Sequence, residues 1–262
     1  RRFALPLLDD CSARGVKAVH FFTAGFRETG KVEDAALEWE MLRKARMGDF
    51  RIIGPNCIGV YHPEARMPWG PSDLLGEPGT VGFISQSGGQ AGKMAELGLG
   101  RNIRFSKVVS YGNGVDLSDA ELLEYLCADP KTEIIGGYLE GADDGRLLFE
   151  TMRKVARRKP LIIWKGGQTQ IGAEAASSHT GSLAASASVW SAALRQAGVV
   201  EVQGLEELAD TILLFQNAKS LLGKAVTVIC GLAAGGGGES VLAGDACAAV
   251  GLDVPSFSRR VR

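Results

Sequence analysis

Long hydrophobic runs are missing from this sequence. Apolar residues make up 45% of its 262 positions, but glycine breaks them into segments too short to span a bilayer. An excess of either charge is missing too: with 29 basic against 30 acidic residues, nothing favours electrostatic capture of nucleic acid or of a membrane surface. The five cysteines, at 11, 57, 127, 230 and 247, form no CxxC pair. That spacing argues against a disulfide framework or a zinc site and for a reducing, cytoplasmic compartment. Three histidines, His20, His62 and His179, are too few for a His-rich centre, and no metal site is expected on this chain. The opening Arg1-Arg2 before FALPLL makes a poor secretion signal, because the apolar run is short and Asp9-Asp10 end it. What is abundant is glycine, 35 residues concentrated after apolar runs, where turns let a backbone approach a ligand closely.

Apolar β-branched runs alternate with amphipathic helical stretches almost from end to end, which predicts parallel sheets covered by helices. The first units are a helix over Leu5–Arg14, a strand Val16–Ala24, a helix Val32–Met47 and a short strand Arg51–Gly54. They read as the later units of a Rossmann-like sheet, and with no Met at its start the chain is expected to be a fragment or to lack its first βα units. Pro63–Gly79 is rich in Pro and Gly and reads as a linker. A second sheet follows, with strands at Thr80–Ser85, Arg104–Gly112, Thr132–Glu140, Pro160–Gly166 and Val199–Val202. Helices over about 89–98, 118–127, 144–158, 186–197 and 205–221 fill the gaps, as in a flavodoxin-like doubly wound domain. A last strand, Ala225–Ala234, runs into a Gly-rich turn and a helix Glu239–Val250, the start of a further αβ domain. The expected division is therefore 1–68, 69–222 and 223–262.

Four places carry chemistry. In FISQSGGQAGKMAELG a strand meets a helix through Ser87-Gly88-Gly89, where free N–H groups and small residues suit a phosphate or carboxylate. A second such turn holds Gly235-Gly236-Gly237-Gly238-Glu239-Ser240. It fails the dinucleotide fingerprint, because Ser240 stands where the last Gly belongs, and Gly92-Lys93 fails the P-loop, because Ser87 replaces its first Gly. SSHTGS, Ser177 to Ser182, frames His179 with hydroxyls in a long aperiodic stretch, Gln168–Ala185. Neutral imidazole is a nucleophile near pH 7 that can accept and release a phosphoryl group, although most loop histidines have no such task. Glu140 ends a strand at the edge where open αβ sheets bind ligands, and can fix an imidazole tautomer there; a solvated strand-end carboxylate is the plainer alternative. Asp143-Asp144 fit the N-terminal charges of a helix.

KPLIIWKGGQTQIGAEAASSHTGSLA resembles the phosphohistidine segment of the NDP-forming (ADP-forming) acyl-CoA synthetases, relatives of the succinyl-CoA synthetase α-subunit. GPNCIGV (Gly54–Val60) resembles that family's junction between CoA-binding and ligase domains, FISQSGG its phosphate turn, and YLEG the strand end that carries its glutamate. The resemblance covers almost the whole chain, in the family's order. It implies an acid-thiol ligase: acyl-CoA and phosphate give acyl-phosphate and CoA, His179 takes the phosphoryl group, and ADP receives it. It also implies that Ser87, Gly88 and Gly89 face Gly236, Gly237 and Gly238 across the phosphate, and that Glu140 orients the histidine. Thr23, Ala24, Gly25, Asn56 and Cys57 fall where family members contact CoA, although Cys57 equally fits a buried structural thiol. The implied cofactors are CoA and ATP/ADP with Mg²⁺. The nucleotide site is expected on a nucleotide-grasp domain or subunit outside this chain, in an oligomer. Ala185 departs from the Gly the family often has, and the Gly-rich turn of the first CoA-domain units is absent.

Two rivals remain. A serine hydrolase would use Ser87, Glu140 and His179 in the right chain order, but its elbow needs Gly where Ser85 stands. A non-catalytic CoA-binding regulatory module of the same fold would have no need of His179 beside Glu140.

Overall fold

A computed structural model describes residues 1–69, 76–169, 172, 186–218, 223–229 and 237–256. Within them the chain divides into two compact units, Arg1–Gln216 and Asn217–Arg262.

The first unit begins with α1 (Ala4–Ala13), β1 (Ala18–His20), a 3₁₀ turn at Arg27–Thr29, α2 (Val32–Met47) and β2 (Arg51–Ile53). β1 and β2 pair in parallel as a two-stranded sheet. Leu8, Phe26, Met41 and Ile52, all fully buried, form the core beneath it. β1 is shorter than the expected Val16–Ala24, because residues beyond Phe21 leave the ladder to form a loop. Next comes β3 (Gly59–Tyr61), which lies in a stretch assigned no strand above.

The larger sheet comprises β3, β4 (Val81–Ser85), β5 (Phe105–Ser110), β6 (Ile134–Leu139), β7 (Leu161–Lys165) and β8 (Val200–Val202), in the order β3-β5-β4-β6-β7-β8. β4 to β8 are parallel, and β3 adds to β5 antiparallel. The five parallel strands carry the doubly wound order, and the expected flavodoxin-like fold is borne out. β4, β5 and β6 are buried at every residue, as strands covered on both faces must be. One face is covered by α4 (Asp119–Ala128), α5 (Gly145–Ala156) and α6 (Ala187–Ala197), around Leu123, Ile135, Leu148, Ile163 and Leu194. The other is covered by α3 (Gly88–Gly100) and α7 (Leu205–Asn217), around Phe83, Met94, Phe105 and Ile212. Each such side chain contributes about 1.5–3 kcal/mol by leaving water.

The helices start where the sequence supplies caps. Ser118 and Glu121 form a complete capping box on α4, and Asp144 caps α5 by accepting from the Leu147 N–H at 2.9 Å. α6 ends at Gly198 in the left-handed conformation.

In the second unit, α8 (Gly237–Ala249) is the main element, and Ala225 makes a single parallel bridge to Asp253. The strand expected over Ala225–Ala234 falls partly outside the described residues. No helix among the described residues is long and apolar enough to cross a membrane.

Candidate active site

The site is built on the carboxyl ends of the strands. β4 ends at the buried Ser85, whose hydroxyl donates to the Ser87 carbonyl at 2.6 Å. Ser87 is extended and caps α3, its Oγ accepting from the Gln90 N–H at 3.3 Å. Gly88 and Gly89 are the first helical residues, so their N–H groups have no carbonyl within the helix and can meet an anion. A Cβ on Gly88 would lie 3.1 Å from Ile58 Cγ2, so a residue of any size would push this turn away from Ile58.

Ile58 belongs to the opposite wall. Between it and the helix runs a groove of about 440 Å³ lined by Phe22, Thr23, Ala24, Asn56, Cys57 and Ile58 on one side and Ser87, Gly88 and Gly89 on the other. Four of the five residues expected at CoA thus share one groove with three of those expected at phosphate. Gly25 stands outside the lining; its N–H donates to Glu28 Oε1 at 2.5 Å. The two loops of the first wall are joined directly, the Asn56 N–H donating to the Thr23 carbonyl at 3.1 Å. His20 Nε2 lies 3.0 Å from the Cys57 carbonyl and holds the turn from the β1 side. The Cys57 thiol faces inward, 3.8 Å from the Phe21 carbonyl, and burial pushes it up to about 12, against a smaller lowering by the Gly59 N–H. It is therefore a neutral thiol at physiological pH, and what it offers a ligand in the groove is backbone.

Glu140 follows β6 and is buried. Gln86, next to Ser87, fixes it: the N–H groups of Glu140 and Gly141 both donate to Gln86 Oε1, the latter at 3.0 Å. Lys165, buried at the end of β7, donates to the Glu140 carbonyl at 2.8 Å and to the Gly166 carbonyl. Burial lowers the Lys165 pKa, and the Glu140 charge opposes the shift. The ammonium also lies 5.3 Å from the centre of the Trp190 ring. The Tyr138 hydroxyl bonds the Glu140 side chain; burial first, then the carboxylate's charge and that bond, raise the phenol's pKa. Glu140 is thus buried, its backbone held by Gln86 and Lys165 and its side chain bonded by Tyr138, and is not a solvated strand end. Gln86, Tyr138 and Lys165 received no role from the sequence, although all three lie within the motifs FISQSGG, YLEG and KPLIIWKGG.

His179 and Gly236 lie outside the described residues. Gly237 and Gly238 open α8 in the second unit, where the Ser240 hydroxyl donates to the Gly237 carbonyl at 2.9 Å. Among the described residues no group of three or more His, Cys, Asp or Glu is placed to hold a metal ion.

A doubly wound sheet with an anion-ready helix start and a held glutamate at its carboxyl edge defines the class. Residues 78–215 match the family described as "Succinyl-CoA ligase like flavodoxin domain", and the chain belongs to it. The resemblance to NDP-forming acyl-CoA synthetases is borne out by its relatives. The chain is 38% identical over 251 residues to acetate–CoA ligase [ADP-forming] I of Archaeoglobus fulgidus, covering 96% of this chain and 36% of that protein. It is 38% identical over 253 residues to the α-subunit of acetate–CoA ligase [ADP-forming] I of Pyrococcus furiosus, covering 96% and 53% respectively. Among solved structures, the dinucleotide-forming acetyl-coenzyme A synthetase 1 of Ca. Korarchaeum cryptofilum, in complex with phosphate and ADP, superposes with a TM-score of 0.85 at 34% identity, over 98% of this chain and 54% of that one. The chain therefore spans between a third and just over half of the length of these relatives.

Proposed function

We propose that this chain is the CoA- and phosphate-handling part of an NDP-forming acyl-CoA synthetase working through a phosphohistidine at His179. The observation that carries the proposal is the single groove in which Thr23, Ala24, Asn56 and Cys57 meet Ser87, Gly88 and Gly89. A thioester carbonyl there would lie beside a helix start suited to bind the attacking phosphate. Phosphate oxygen forms the new bond to the acyl carbon, the carbon–sulfur bond breaks, and CoA leaves as thiol. The imidazole of His179 then attacks phosphorus, releasing the carboxylate, and the phosphoryl group passes to ADP. Glu140, held by Gln86, Lys165 and Tyr138, is the residue to accept the imidazole N–H and stabilise its positive charge. Gly236, Gly237 and Gly238 are assigned a second anion-binding role, the helix that opens at Gly237 bringing a dipole that opposes phosphate charge.

In this reading residues 1–68 are the later part of a Rossmann-like CoA-binding domain. Residues 69–222 are a ligase domain with the phosphohistidine loop, and 223–262 open a second ligase domain. Mg²⁺ and nucleotide bind a nucleotide-grasp domain or subunit, the enzyme is oligomeric, and its compartment is the cytoplasm. The serine hydrolase reading is not favoured by membership of a ligase-like family, and Ser87 already serves as a helix cap.

The test incubates the full-length protein, with its nucleotide-binding part, with acetyl-CoA, phosphate, ADP and Mg²⁺. ATP should form only when all are present. Thioester cleavage without phosphate would favour the hydrolase, and CoA binding without turnover the regulatory module.

A further inference from the structure

The loop after β5, Gly112 to Asp116, makes no hydrogen bond to Ser87–Gly89 or Glu140 among the described residues, yet Asn113, Val115 and Asp116 tie it to the first part of the chain, which supplies the opposite wall of the groove. The Val115 N–H donates to the Gly54 carbonyl at 3.1 Å. Asp116 Oδ2 accepts from the Ile52 N–H and from Arg51 Nε, each at 2.8 Å. At the centre sits Asn113, 3% exposed. Its N–H donates to the Pro55 carbonyl at 3.0 Å, and its carbonyl accepts from the Arg27 guanidinium. Its side-chain Nδ2 donates to Glu28 Oε2 at 2.6 Å and to Glu38 Oε2 at 2.7 Å. Its Oδ1 lies 3.4 Å from Asn56 Nδ2, the donor in that pair.

An amide nitrogen has two protons, and here each has a carboxylate partner. Glu28 in turn gathers the 23–28 loop, accepting from the N–H groups of Gly25, at 2.5 Å, and Phe26, at 3.1 Å. Glu38 accepts from the Arg27 N–H at 3.0 Å. A side chain with both a donating and an accepting end is needed, and an isosteric carboxylate would face two others at hydrogen-bond distance.

We infer that Asn113 is a positioning residue for CoA, setting the spacing of the 23–28 and 54–57 loops that form one wall of the groove. This rests on the reading that these loops hold CoA. Because Asn113 reaches the CoA wall and leaves the phosphate turn and Glu140 untouched, its loss should weaken CoA use and spare phosphoryl transfer from ATP to His179.

The test uses the full-length enzyme with its nucleotide-binding part and two readouts: KM for CoA with kcat at saturating CoA, and acid-labile label from ATP, which needs no CoA. Asn113→Asp should raise the KM for CoA by about tenfold or more, the scale of a lost buried hydrogen bond to a charged group. The kcat and the label should stay within about twofold of wild type, as expected when only ground-state-like binding is lost. Glu28→Gln alone should raise KM by a smaller factor. Combining Glu28→Gln with Asn113→Asp reverses donor and acceptor across the 2.6 Å bond, leaves the repulsion with Glu38 in place, and should bring KM part of the way back toward wild type. An unchanged KM in Asn113→Asp, label falling in step with CoA use, or a double variant no better than Asn113→Asp would each overturn the inference. If Asn113→Asp does not fold, Glu28→Gln decides: a raised KM with intact label supports the inference, and an unchanged KM overturns it. Failure of the functional reading is separate, showing as a wild-type enzyme with no CoA-dependent step.

Discussion

Two glycine-bearing turns of this chain obey different rules. At Gly112, φ is +55° and a Cβ would run into the carbonyl groups of Pro55 and Asn56, so glycine is demanded by the packing of one loop on another. At Gly237 and Gly238 a Cβ would meet nothing within 4 Å among the described residues, and neither residue has a positive φ. Packing therefore explains the first glycine and leaves the second pair unexplained. That distinction is invisible in composition, where both stretches are simply glycine-rich.

The largest expected effect comes from breaking the packed turn. Gly112→Ala should destabilise the fold by about 3 kcal/mol or more in urea denaturation, since it combines a strained φ with overlap against backbone.

Next is Asp119, buried near the same loop. Burial first, with help from the charges of Asp143 and Asp144 and against the Ala120 N–H, raises its pKa from 3.8 to about 6. A folded-state value above the unfolded one means the native state holds the proton more tightly. Stability from this group is fully present below about pH 4 and is lost as pH rises through 6. Asp119→Asn, which keeps an acceptor for the Ala120 N–H, should flatten that dependence and add about 1–3 kcal/mol at pH 7. Thermal unfolding across pH 4–8 checks both.

A smaller effect separates cap from ligand site. Ser87→Ala removes the α3 cap and should cost about 1 kcal/mol of stability. The smallest belongs to the unpacked turn. Gly237→Ala should change stability by no more than about 1 kcal/mol, in the stabilising direction for a helical position. If the glycine serves phosphate approach, acid-labile labelling of His179 will fall in that variant while its unfolding midpoint holds.

The doubly wound sheet was legible because β4, β6 and β7 are largely apolar on both faces and the strands are separated by helices with recognisable caps such as Ser118 and Asp144. β3 was not, because three residues between Pro- and Gly-rich stretches gain strand character only by pairing with β5, some fifty residues on. The placement of Ser87 and Glu140 at the carboxyl edge was legible because each directly follows an apolar strand that a helix succeeds. Gln86 and Asn113 could not, since Gln86 meets Glu140 from 54 residues away and Asn113 meets Glu28 from 85. Nor does GPNC reveal which way Cys57 points; the fold turns its thiol inward, and only packing decides that.

The central claim is that His179 carries the phosphoryl group, and one measurement reaches it directly. The full-length protein with its nucleotide-binding part, incubated with ATP and Mg²⁺, should gain one phosphoryl group by intact mass. That group should be lost in acid and be absent from His179→Ala. A wild-type protein that stays unlabelled under conditions that label a known ADP-forming synthetase, or a label that survives in His179→Ala, would contradict the account.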